Sequence, residues 1–357
     1  MKKNLKRNLV NSTIGRIRSL GGKALDPIRR RRYAKVYETR ELVNGRLPVI
    51  YISQLWRSGG TMLSQFFDSV PGVLAFPKEL KFGVGKQEPL RLDEWCERPA
   101  SEIRQKFTRV NGVFGDAGRG AYDKSSGSSL PFRFDVRLFN YLFDRLWRER
   151  PPRAGRDITD IFFTAFFSSW LDRKPSPQPL RYISGFASFV AFYPGNVQRF
   201  FGYYPDGYLI QIIREPVSWY RSVKAKRLKA SSGFLKDNRS VDDAIAIYRQ
   251  QAATLEVNLR EYPGRCFLLD YDELVAEPDL HMGRLCERFG LQHSAIAAEP
   301  TFNGLPIGPN SSFRDGRVSR ESVLSASEMA QLEREAMPVY EKVRRLVATP
   351  AQPAVNR

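Results

Sequence analysis

The sequence predicts an α/β fold in three layers, a central parallel β-sheet held between layers of helices. Three observations predict it. Val49-Ile50-Tyr51-Ile52-Ser53 is a short run of β-branched and aromatic residues, hence a buried strand; a glycine-containing turn follows, then Met62, Leu63, Phe66 and Phe67 at helical spacing. Tyr208-Leu209-Ile210-Gln211-Ile212-Ile213 is the strongest strand in the chain, and Arg214-Glu215-Pro216 ends it, with Pro216 suited to the first turn of the next helix. Cys266-Phe267-Leu268-Leu269 is a further buried run. Strands that alternate with helices pair in parallel, because each crossover returns the chain to the end from which the last strand started.

The elements fall in this order. Residues 1–45 form a basic arm, partly helical and densest at Arg29-Arg30-Arg31-Arg32. Residues 46–345 form the folded domain, and 346–357 a tail. After the first strand, turn and helix, Val73-Leu74-Ala75-Phe76 reads as a second strand. The stretch 81–131 is weakly patterned, with Gly and Ser clusters, and is expected to supply loops on the acceptor side. Apolar residues recur at three and four over 135–147 and 157–171, predicting two helices; Pro151-Pro152 and Pro175-Ser176-Pro177 punctuate them. There is no internal repeat and no long linker, so a single domain is expected.

Composition narrows the function. The 357 residues are 42% hydrophobic and 27% charged, enough for a sizeable core. The net charge of +19 calls for an anionic partner. Residues 1–40 hold thirteen Lys or Arg against Asp26 and Glu38, so much of the surplus sits in the arm, where contact with an anionic membrane is the functional reading. No nucleic-acid module is recognisable, so nucleic acid is not expected, although a basic nucleic-acid-binding protein remains the alternative from another class. Cys96, Cys266 and Cys286 are scattered, and His281 and His293 come late in the chain, so neither a disulfide framework, a metal site nor a His-based triad is expected. With no secretory apolar stretch and no run of about 18 apolar residues, a cytoplasmic protein is expected, one that the basic arm could make peripheral at the inner membrane face.

The chemistry concentrates in two places. In Gln54-Leu55-Trp56-Arg57-Ser58-Gly59-Gly60-Thr61 the glycines allow close approach of a ligand to the backbone, and the following helix offers free N–H groups. Ser58 and Thr61 add hydroxyls and Arg57 a permanent charge, which together make a cradle for a phosphate or phosphosulfate. Thr61 stands where a Walker A loop needs Lys, which disfavours ATP with magnesium; a P-loop-like nucleotide or phosphate kinase is the second reading. Arg214 closes a strand and Ser222 lies about two turns into the next helix, so the pair can hold a second phosphate.

Arg57-Ser58-Gly59-Gly60-Thr61-Met62 resembles the 5′-phosphosulfate loop of sulfotransferases that use 3′-phosphoadenosine-5′-phosphosulfate (PAPS), and Trp56-Arg57-Ser58-Gly59 is similar to the Golgi carbohydrate members. Ile213-Arg214-Glu215-Pro216 with Ser222 resembles the 3′-phosphate motif of the same superfamily. Leu269-Asp270-Tyr271-Asp272-Glu273-Leu274, Glu277-Pro278 and Phe289-Gly290-Leu291 are similar to its later segments.

The resemblance implies a P-loop-NTPase-like fold, PAPS as cosubstrate, no metal, and an acceptor with a free hydroxyl, a saccharide or glycolipid. It implies that Arg57, Ser58, Gly59, Gly60 and Thr61 hold the 5′-phosphosulfate and that Arg214 and Ser222 hold the 3′-phosphate. It implies a late loop closing on the 3′-phosphate, for which Ser311-Ser312-Phe313-Arg314-Asp315-Gly316-Arg317 is the candidate, through Arg314 and Gly316. Carbohydrate-type members carry a catalytic carboxylate just after the second strand, which points to Glu79 as general base, with Glu88 as runner-up and Arg57 assisting the leaving group. Gly60 departs from the usual Thr or Ser. The region before the 3′-phosphate strand lacks the Gly-x-Lys-Thr/Ser-Pro segment of carbohydrate-type members and carries Tyr182-Ile183-Ser184-Gly185-Phe186 instead. The helix after Arg214 bears Arg221, Lys224, Lys226, Arg227 and Lys229, a rim that could attract an anionic acceptor.

Overall fold

The computed structural model describes residues 31–39, 41–85, 88–116, 130, 132–188, 190–227, 240–293, 298–307 and 324–348. Five strands form one sheet: β1 (Val49–Gln54), β2 (Val73–Glu79), β3 (Tyr182–Ser188), β4 (Tyr208–Ile213) and β5 (Cys266–Asp270). Every pairing is parallel, in the order β2-β3-β1-β4-β5. β1 is central and buried at all positions, as expected for a parallel strand covered on both faces. β3 is the strand that the apolar pattern does not single out, because Ser184 and Gly185 interrupt it.

The helices are α1 (Gly60–Phe67), α2 (Ala100–Val110), α3 (Val136–Glu149), α4 (Gly155–Ser169), α5 (Asn196–Tyr203), α6 (Pro216–Arg227), α7 (Val241–Glu261), α8 (Tyr271–Ala276), α9 (Pro278–Arg288), α10 (Ala326–Glu335) and α11 (Met337–Ala348). Alternate strand residues serve opposite faces. Ile50, Ile52, Ile210, Ile212 and Leu269 pack with Met62, Leu63 and Phe66 of α1 and with Met282 and Leu285 of α9. On the other face Val49 and Tyr51 meet the aromatic residues of α3 and α4, while Ile213 and Leu268 meet α6, α7, α10 and α11. These are the three layers that the sequence predicts.

The helices expected over 135–147 and 157–171 are α3 and α4. Asp135 is not in the first of them but caps it, accepting from the N–H groups of Arg137 at 2.9 Å and Leu138 at 3.0 Å. The stretch 81–131, expected as loops, holds α2 and single turns at Leu92–Trp95 and Val113–Asp116 among its described residues. α2 buries only Ile103 and Phe107, too thin a stripe to be read from sequence; Phe107 stacks on Phe162 of α4 with ring centroids 4.3 Å apart. Of the basic arm, residues 31–39 are helical, and Tyr33 donates to Asp135 at 3.3 Å. Residues 1–30 and 349–357 lie outside the described residues. Among the described residues no helix is long and apolar enough to cross a membrane.

Candidate active site

Arg57 and Arg214 leave the C-terminal ends of β1 and β4, which are neighbours in the sheet. The chain switches sides there: β3 and β2 lie on one side of β1, β4 and β5 on the other. In open α/β sheets the crevice at such a switch point is where ligands bind.

The turn after β1 is built backbone first. Gly59 caps α1 with φ 94, and a side chain there would run into the ring of Tyr271, so both its dihedral and its surroundings require glycine. Arg57 sits at φ 70, uncommon for a residue with a Cβ. Its carbonyl is held in that orientation by Nη1 of Arg214, which donates to it at 3.0 Å. The Trp219 indole donates to the carbonyl of Trp56 at 2.9 Å, fixing the residue before.

The two groups of residues predicted as separate phosphate sites meet here. Nε of Arg57 donates to the Ser222 hydroxyl at 3.2 Å. Nε of Arg214 donates to Ser218 at 2.8 Å, and its guanidinium lies over the Tyr271 ring, 4.2 Å from the centroid. Tyr248 donates to the Arg214 carbonyl at 2.7 Å. The Glu215 carboxylate accepts from the N–H groups of Val217 at 2.8 Å and Ser218 at 2.6 Å, which explains an acid before the helix-opening Pro216.

Desolvation lowers the basicity of Arg57, and the nearby charge of Arg214 lowers it further. By area the Arg57 side chain is exposed, so the repulsion is the more telling cause, and an anion seated between the two arginines would relieve it. Arg57 stays cationic at neutral pH in any case. The Ser58 hydroxyl is fully buried and, among the described residues, has no hydrogen-bond partner; such a group is costly until something bonds it. Thr61 is exposed on the first turn of α1.

Glu79 ends β2, opposite Phe186 of β3 and beyond an irregularity in the pairing. Leu80 donates its N–H to the Phe186 carbonyl at 2.7 Å and packs over Gly185, where a Cβ would come within 2.6 Å of it. The Glu79 carboxylate pairs with Lys81 at 3.0 Å and is partly exposed. Its charge reaches Tyr51: burial first, and the Glu79 charge second, hold the Tyr51 phenol well above its usual range. Glu88 is exposed, and its carboxylate accepts from the Gly85 N–H at 2.8 Å, closing its own turn. Lys224 pairs with Glu328 of α10 at 2.7 Å, so it serves the packing of α6 rather than a free rim. Arg314 and Gly316, with the rest of the late loop, lie outside the described residues, as does Lys229.

Among the described residues no group of three or more His, Cys, Asp or Glu side chains is placed to hold a metal ion. A cavity of about 750 Å³ opens among Arg46, Arg91, Asp93, Arg156, Arg199 and Tyr203. It lies toward the N-terminal ends of the strands, away from the switch point, and Arg156 there is already held by Asp206 at 2.8 and 3.1 Å.

Residues 48–295 match the model of a sulfotransferase family. The chain belongs to that family. The sulfotransferase is similar in structure to the sulfotransferase domain from the curacin biosynthetic pathway (13% identity, 85% of this chain and 98% of that one, TM-score 0.45). It is also similar to a sulfotransferase from Alicyclobacillus acidocaldarius (15% identity, 84% and 96%, TM-score 0.44). A third similar structure is the sulfotransferase domain of a Synechococcus olefin synthase (14% identity, 89% and 94%, TM-score 0.46). No curated protein sequence matches. Several contacts around this crevice are not legible in sequence: Gln54 against the Gly60 N–H, Ser218 on Arg214, Tyr248 on the Arg214 carbonyl, and Tyr271 as the ring beneath Arg214.

Proposed function

We propose that the protein moves a sulfuryl group from PAPS to a hydroxyl of a saccharide or glycolipid, with Glu79 as general base. The observation that carries the nucleotide half is the joining of Arg57 with Arg214 and Ser222. Two cations from adjacent strand ends suit a ligand with a phosphate at each end of one nucleoside. Arg57, Ser58, Gly59, Gly60 and Thr61 take the 5′-phosphosulfate, and Arg214 and Ser222 take the 3′-phosphate. In the transfer, the acceptor oxygen forms a bond to sulfur while the bond from sulfur to the bridging phosphate oxygen breaks. The electron pair stays on that oxygen, where Arg57 offsets the growing charge. The hydroxyl proton goes to Glu79, whose support is its place at the end of β2 beside Lys81.

The test is thermal shift with 3′,5′-ADP, the desulfated product, in the presence of a chelator. Stabilisation is expected, since a ligand that binds only the native state raises its melting temperature; stabilisation by ATP–magnesium alone would overturn the reading. Arg214→Ala should weaken 3′,5′-ADP binding by about 1.5–3 kcal/mol, the scale of a hydrogen bond to a charged group, and weaken 5′-AMP binding much less, through the contact of Arg214 with the Arg57 carbonyl. Isothermal titration with both ligands checks this, and equal losses would make Arg214 structural.

The thirteen cations of residues 1–40 support a cytoplasmic enzyme that docks at an anionic membrane, near a lipid-linked acceptor. Sedimentation with phosphatidylserine vesicles should show binding that fades with added salt and is lost on deleting residues 1–30, while 3′,5′-ADP binding persists. Salt-insensitive binding, or none, would remove the membrane from the proposal.

A further inference from the structure

Gly60 departs from the Thr or Ser that the resemblance leads one to expect, and the structure gives a physical reason. Its backbone is not in the left-handed region, so the dihedrals do not ask for glycine. Space does. A Cβ at position 60 would stand 2.8 Å from both Cδ and Oε1 of Gln54 and 3.2 Å from its Nε2. Gln54 is the last residue of β1 and is 5% exposed. Its Oε1 accepts the Gly60 N–H, and its Nε2 donates to Ser188 at the end of β3 at 3.4 Å. The carboxamide thus lies against the first amide of α1 and ties it to the ends of two central strands.

We infer that Gln54 is a positioning residue of the sulfuryl-donor site, coupled to Gly60: its carboxamide fills the space of the missing residue-60 side chain and fixes the loop that receives the phosphosulfate. A side chain at 60 displaces the carboxamide, and loss of the carboxamide leaves the Gly60 N–H unanchored and a gap beneath the loop. Each change alone is harmful. Made together they are compensatory, because a residue-60 hydroxyl can then occupy the vacated space. The inference rests on the PAPS reading of the loop.

The experiment is a double-mutant cycle on the full chain: wild type, Gln54→Ala, Gly60→Ser and the double variant. Titration with 3′,5′-ADP and steady-state kinetics with PAPS are read beside the melting temperature without ligand. Each single change is expected to weaken 3′,5′-ADP binding and lower kcat by about three- to tenfold, the scale of one lost hydrogen bond between neutral groups. The double variant should return to within about threefold of wild type, and its melting temperature should exceed that of Gly60→Ser. Gln54→Met, which keeps volume but not the carboxamide, should resemble Gln54→Ala in binding. A single variant that fails to fold while the double variant folds also supports the coupling. Losses that simply multiply, a double variant that fails to fold, or a Gln54→Met protein with wild-type binding would overturn it. If wild type ignores 3′,5′-ADP, the PAPS reading fails, and the coupling of residues 54 and 60 is still decided by the four melting temperatures.

Discussion

Glu79→Gln is expected to lower kcat by about 10²–10⁴-fold, the usual worth of positioned proton transfer, with 3′,5′-ADP affinity unchanged. A neutral hydroxyl is a poor nucleophile until its proton has somewhere to go. Gln keeps the shape and most of the hydrogen bonding of Glu but cannot take that proton. The side chain stands at the end of β2, two strands from β1, so it should not touch the nucleotide, and a change confined to kcat is the signature. Glu88→Gln is the control. Its carboxylate closes a local turn on Gly85, so the substitution should leave turnover near normal. Single-turnover measurements with a responsive acceptor check both. If Glu88→Gln loses turnover and Glu79→Gln keeps it, the role passes to Glu88. If neither changes, the base lies on another element.

Arg57→Ala is expected to lower kcat by about 10²–10³-fold, as when one preorganised donor facing a developing anion is removed. The backbone at φ 70 is no worse for Ala than for Arg, since both carry a Cβ, so the effect reports the guanidinium and not the turn. Affinity for PAPS should fall much less than kcat, because charge grows on the bridging oxygen only as the bond to sulfur breaks. Ser222→Ala is the companion: it removes the hydroxyl that orients Nε of Arg57 at 3.2 Å and that is assigned to the 3′-phosphate, and should cost about tenfold in kcat and weaken 3′,5′-ADP binding as well. A loss of PAPS affinity with kcat unchanged for Arg57→Ala would assign it to ground-state binding alone.

What the sequence determines by itself is the frame and the loop. The runs of β1, β4 and β5 are predominantly apolar, with Gln211 the one polar residue inside β4, because strands buried on both faces have no polar side to show. The turn around Gly59 is local chemistry: a left-handed cap and free helix amides need only a handful of consecutive residues. The Glu215-Pro216 helix start is legible for the same reason. Other features come only from the tertiary structure. β3 carries Ser184 and Gly185, and the gap at Gly185 exists because Leu80 fills it. α2 buries two residues on one face, too few to give a period. Arg57 and Arg214 are 157 positions apart in the chain and become one basic recess because β1 and β4 are neighbours in the sheet. Lys224 reads as part of a basic rim until Glu328 arrives from a distant helix. Gly60 reads in sequence as a missing hydroxyl and in the fold as room for Gln54, because side-chain volume is shared among residues brought together only by folding.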